Sequence, residues 1–63
     1  MITFSAIFGV LPPETYITIF YNGHCVFSDY VREYPPKLKR KYEKCHVVNM
    51  RALPDNQYMI HIV

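Results

Sequence analysis

This sequence predicts a mainly β fold: a small antiparallel sheet of two hairpins, one short helix, and an N-terminal strand extending the sheet. Three observations predict it. Asn22-Gly23 separates two runs rich in β-branched and aromatic residues, 16–21 and 24–28. A second pair of alternating runs, 45–52 and 57–63, is divided by Leu53-Pro54-Asp55-Asn56. Between the two pairs, Pro35-Pro36 introduces a lysine-rich stretch of good helix formers. The chain has 63 residues, so 1–63 is read as one small domain. A domain of this size buries only about 60% of the surface its unfolded chain exposes. At 51% hydrophobic and 16% aromatic, the composition excludes disorder, which goes with few aromatic and β-branched residues.

The elements follow in chain order. In 2–10, Ile2, Phe4, Ala6, Phe8 and Val10 alternate with Thr3 and Ser5, which suits a strand. A helical face of Phe4, Ile7, Phe8 and Leu11 is the alternative, and Gly9 with the β-rich neighbourhood favours the strand. Pro12-Pro13 breaks whatever precedes it. Asn-Gly supplies the two positive φ angles of a type I′ turn. The hairpin register then sets Tyr21 opposite His24, Phe20 opposite Cys25, Ile19 opposite Val26, Thr18 opposite Phe27 and Ile17 opposite Ser28. Both of its faces are apolar, so neither is expected to stand in water. Residues 30–34 are ambiguous. Proline suits a first helical position, and 37–44 reads as about two helical turns with Leu38 and Tyr42 on one stripe, stable only if docked. Residues 45–52 form a strand with His46, Val48, Met50 and Ala52 on one side, and 57–63 closes the chain.

The formal charge is +2, a mild excess, but it is unevenly spread. Lys37, Lys39, Arg40, Lys41 and Lys44 crowd one segment against Glu43 alone. Such a patch steers anionic partners. Two cysteines fall short of the disulfide framework of small secreted domains. The apolar N-terminus lacks a basic leader and is too short to span a bilayer. The expectation is a cytoplasmic protein with reduced thiols and no membrane partner.

Candidates for chemistry are weak. His24-Cys25, Cys45-His46 and His61 invite a zinc reading, but strand neighbours point to opposite faces, so each pair offers at most one ligand to a site. Cys25 with His46, or Cys45 with His24, would make a Cys-His dyad only with a third group to orient it inside a pocket. Nucleophile motifs, glycine-rich phosphate loops and paired carboxylates are missing, so no enzyme, cofactor or metal site is predicted.

Binding carries more weight. The leading expectation is a non-enzymatic protein-binding module, dimeric, whose contacts are Tyr16, Phe20, Phe27, Tyr30 and Tyr42. Tyrosines with one wet and one apolar end are typical of interface centres. The alternative is nucleic-acid binding through Arg32, Lys37, Lys39, Arg40, Lys41 and Lys44, with Tyr30, Tyr34 and Tyr42 as stacking rings. The stretch 16–63 also resembles small accessory proteins of tailed bacteriophages. The likeness rests on Tyr21-Asn22-Gly23, Val26-Phe27, Pro35-Pro36-Lys37-Leu38 and the closing run Tyr58-Met59-Ile60-His61-Ile62-Val63. It implies a phage-encoded inhibitor that acts in the host cytoplasm by occluding a host or defence protein, and it defines no site residues.

Overall fold

The computed structural model describes residues 2–63. The fold is mainly β. A short helix α1 (Phe4–Phe8) precedes strands β1 (Tyr16–Tyr21) and β2 (His24–Tyr30). A single 3-10 turn over Val31–Glu33 and helix α2 (Pro36–Tyr42) lead to β3 (Val47–Leu53) and β4 (Gln57–Ile62). Asn22 at φ 50° and Gly23 at φ 85° make the first hairpin turn. Asp55 and Asn56, at φ 64° and 59°, turn the second; both residue types tolerate the left-handed region through local hydrogen bonding. Pro36 occupies the first turn of α2, where its missing N–H costs nothing.

The two hairpins join in the order β2-β1-β4-β3. Their junction differs from expectation: β1 pairs with β4 in parallel, Ile17 beside Tyr58 and Ile19 beside Ile60, so the sheet is mixed. The cause is the connection. Parallel neighbours need a crossover of a dozen or more residues, and 31–46 supplies it by carrying the chain from the β2 edge to the β3 edge.

The first hairpin keeps Tyr21 opposite His24 and Phe20 opposite Cys25, then shifts by one. Ile19 meets Phe27 and Ile17 meets Asp29, leaving Val26 as the extra residue of a bulge. A second irregularity places Val48 between Val47, opposite Ile62, and Asn49, opposite His61. The expected common side of His46, Val48, Met50 and Ala52 is broken there, and Val48 stands 56% exposed.

The N-terminal segment is the clearest departure. Residues 4–8 are helical, and the backbone ahead of them meets the start of β3 through a bridge from Thr3 to His46 and the Ile2 carbonyl, which accepts the Val47 N–H at 2.8 Å. Alternation fails as a guide because Ile2 and Val10 of the supposed inner face are exposed. The i, i+4 pair Phe4 and Phe8 instead packs as one face, rings 5.6 Å apart, with Tyr34 against both. A five-residue helix has no stability of its own; docking of Phe4 holds it.

Both helices lie on the same side as the core. Ile17, Ile19, Ile60 and Ile62 fill the centre of the covered face, with Phe4, Val31, Tyr34 and Tyr42 above them. Each fully buried isoleucine contributes about 1.5–3 kcal/mol. Tyr34 donates its hydroxyl to the Leu38 carbonyl at 3.3 Å, pinning the start of α2 over the sheet. Among the described residues, no helix is long and apolar enough to cross a membrane.

Candidate functional site

Strand alternation puts every second residue of the sheet on the side away from the helices. Register then defines three rows across β2, β1, β4 and β3. The first is Tyr30, Tyr16, Gln57 and Leu53; the second is Ser28, Thr18, Met59 and Arg51; the third is Cys25, Phe20, His61 and Asn49. No element of the described chain packs over these rows.

Side-chain contacts tie the rows together. Tyr16 and Tyr30 meet edge to face, ring centres 5.3 Å apart at 86°. Phe20 and His61 lie parallel, 4.8 Å apart at 12°. The Ser28 hydroxyl is hydrogen-bonded to both the Tyr16 hydroxyl, at 3.0 Å, and the Thr18 hydroxyl, at 3.2 Å. Just past β2, the Arg32 guanidinium sits 4.6 Å above the Tyr30 ring. None of the twelve row positions is an Asp or Glu. Asp29 lies on β2 but falls opposite Ile17, on the other parity, and its carboxylate accepts the Tyr30 backbone N–H at 2.7 Å. The surface is therefore aromatic and hydroxylic, with positive charge from Arg32 and Arg51.

The predicted contact residues divide. Tyr16, Phe20 and Tyr30 stand together on this open face, and Tyr30 is 39% exposed. Phe27 and Tyr42 do not join them. Phe27 pairs with Ile19 and turns its ring edge-on to Tyr34, inside the covered side. Tyr42 is 5% exposed, its ring 5.1 Å from Tyr21. Both are structural aromatics, because their backbone parity or helix face points to the core.

The basic residues form a separate surface. Lys37, Lys39, Arg40, Lys41 and Lys44 are all exposed along and just after α2, on the helix side of the sheet. Of the rings read as their stacking partners, Tyr34 and Tyr42 are buried and Tyr30 is on the opposite side. Only Arg32 is placed with the open-face rings.

Met59, His61, Thr18, Ser28, Gln57 and Arg51 belong to this face and were not among the predicted contacts. Their alternation is visible in the sequence, except that Ser28 reaches this face only through the bulge at Val26. What could not be read is that β4 lies beside β1, which makes His61 the neighbour of Phe20.

For bond-making chemistry the arrangement offers little. Cys25 and His61 flank Phe20 in one row, two strand spacings or about 10 Å apart. Cys25 lies on β2 and Cys45 precedes β3, so the thiols sit toward opposite edges of the sheet, and both are free. Burial pushes the Cys45 thiol above its ordinary range, away from the reactive thiolate. Among the described residues no three His, Cys, Asp or Glu side chains gather into a metal-ligand group. A groove of about 80 Å3 between the helices is lined by Phe4, Ser5, Phe8, Gly9, Lys39 and Glu43. That is well below the several hundred Å3 of a typical ligand site. Comparison of the chain with protein-family models, curated proteins and solved structures finds no match.

Proposed function

We propose that this chain is a small non-enzymatic binding module that works by laying the open face of its sheet against another macromolecule. The observation that supports the reading is the uncovered grouping of Tyr16, Phe20 and Tyr30 with Met59 and His61, on a sheet whose other face is filled. Aromatic residues, Met and Arg are the types enriched where macromolecular surfaces meet. The face is nearly flat, so its action is occupancy: it covers what it binds.

The dimer expected from the sequence rested on a hairpin apolar on both sides. Ile17 and Ile19 are satisfied within the chain by Ile60, Ile62 and Phe4, which removes half of that pressure. Edge-to-edge pairing is also opposed, because β2 and β3, the outer strands, each carry an extra residue, Val26 and Val48. Bulges at edges discourage pairing with another chain.

A photo-crosslinking residue placed at Thr18, in the centre of the open face, and separately at Arg40 on α2, tests the assignment in cells. Discrete adducts from position 18 and none from position 40 are expected. Adducts from position 40 alone would move the binding surface to the helix side and end the proposal.

A further inference from the structure

We infer that the occupant of the open face is single-stranded nucleic acid, an inference that rests on reading this face as the binding surface. Three features of the face converge on that chemistry. The first is charge. The rows hold no carboxylate, and Arg32 and Arg51 lie toward opposite edges, beside β2 and on β3. A strand crossing the sheet would meet one guanidinium on entry and another on exit, about 14 Å apart across three strand spacings. A second copy of the chain would bring the same cations with no acidic residue of the face to answer them.

The second feature is the rings. The Tyr16–Tyr30 and Phe20–His61 pairs occupy the two ends of β1, four residues or about 13 Å apart. Phe20 and His61 are already parallel, so a base laid against that pair extends an existing stack. Every base has a π face, so such platforms bind single strands with little sequence preference. Four-stranded sheets that present aromatic rings to RNA use the same physics. The third feature is what fills the gaps: Ser28, Thr18, Gln57 and Asn49 each offer donors and acceptors, suited to base edges and phosphate oxygens. An acidic protein segment would satisfy the cations but would leave the ring pairs without stacking partners.

The lysines of α2 are a rival surface for the same ligand, and salt separates the two. Single-stranded binding weakens with salt at a log–log slope of about −0.7 per phosphate contacted. Two contacts, through Arg32 and Arg51, give about −1.4, whereas the five cations of 37–44 would give about −3.5.

The test is fluorescence anisotropy of a labelled ten-nucleotide oligothymidylate, its duplex and a polyglutamate peptide. It compares the wild-type chain with Tyr30→Ala, Phe20→Leu, and the triple variant Lys39→Ala/Arg40→Ala/Lys41→Ala, each checked for fold by circular dichroism. Preferential binding of the single strand is expected, with a slope near −1.4 and losses of about tenfold in each ring variant. The triple variant should stay within a few-fold of wild type. Binding that ignores the ring variants and vanishes in the triple variant overturns both the inference and the choice of face. No oligonucleotide binding overturns the inference alone when polyglutamate binds and Tyr30→Ala abolishes that binding, because the face then serves an acidic protein.

Discussion

The two faces of this sheet are built from the same four strands, yet they solve opposite problems. On the covered side Ile17, Ile19, Ile60 and Ile62 interlock beneath Phe4, Tyr34 and Tyr42 and are almost wholly removed from water. One residue along each strand, the other side holds Tyr16, Thr18, Phe20, Met59 and His61, partly exposed and unroofed. Aliphatic β-branched residues suit a filled interior because they carry no polar group and lose little rotamer freedom. Aromatic and hydroxyl side chains can hold apolar area at a surface while keeping a polar end wet. The difference teaches that stability and recognition are separated here by parity alone: a single-residue shift in register would exchange them.

Adjacent residues of β4 test that separation most sharply. Ile60 is completely buried, and Ile60→Ala should cost about 2–5 kcal/mol, enough to unfold much of a population this small in core. Met59→Ala, one position away on the open face, should cost under about 1 kcal/mol. Urea unfolding of both variants gives the ratio. Equal losses would mean that the two faces are not distinct in kind.

How much of this was legible in the sequence follows from the range of the interactions involved. Asn22-Gly23 and Pro36 announce themselves because turn and helix-start chemistry is local. The bulge at Val26 is not local: without it, Val26 would pair with Ile19, and Phe27 would turn to the open face. Phe27 joins the core, where the ring of Tyr34, beyond the 3-10 turn, meets it edge-on. The N-terminal segment satisfied both a strand and a helix pattern. What decides it is the room over Ile17 and Ile19, which calls for a lid rather than a fifth strand. Parity made Tyr16 and Phe20 readable as one group, whereas Tyr30 joins them only through the bulge at Val26. Tyr42 lies in the core rather than with the open-face rings, because residue type says nothing about which helix face meets the sheet. His61 and Met59 needed the parallel β1–β4 pairing, which no short-range signal encodes.

The covered side contains one phenol whose burial has a measurable consequence. Burial pushes the Tyr34 hydroxyl up to about 12, with the nearby Tyr42 and Cys45 adding to the effect. Below pH 10 the group is neutral whether folded or not, and its contribution to stability is complete. Between pH 10 and 12 the unfolded chain releases the proton while the folded chain keeps it, so stability falls as pH rises. Tyr34→Phe removes the bond to the Leu38 carbonyl, at a cost of about 1 kcal/mol near neutrality. Its unfolding free energy should then decline less steeply than wild type between pH 10 and 12, as read by denaturant titrations at each pH. Parallel declines would mean that Tyr34 is not the group linking this transition to pH.

The smallest expected effect bears most directly on function. Phe20 and His61 form a cross-strand pair on the open face, and such pairs contribute about 0.2–1 kcal/mol. Phe20→Ala should therefore leave the fold intact and lower stability by no more than that, with a similar coupling to His61 in a double-mutant cycle. A cost approaching that of Ile60→Ala would show Phe20 to be a core residue in effect, and the face would then be a structural surface. A small cost accompanied by loss of binding is the signature of a residue kept for its partner.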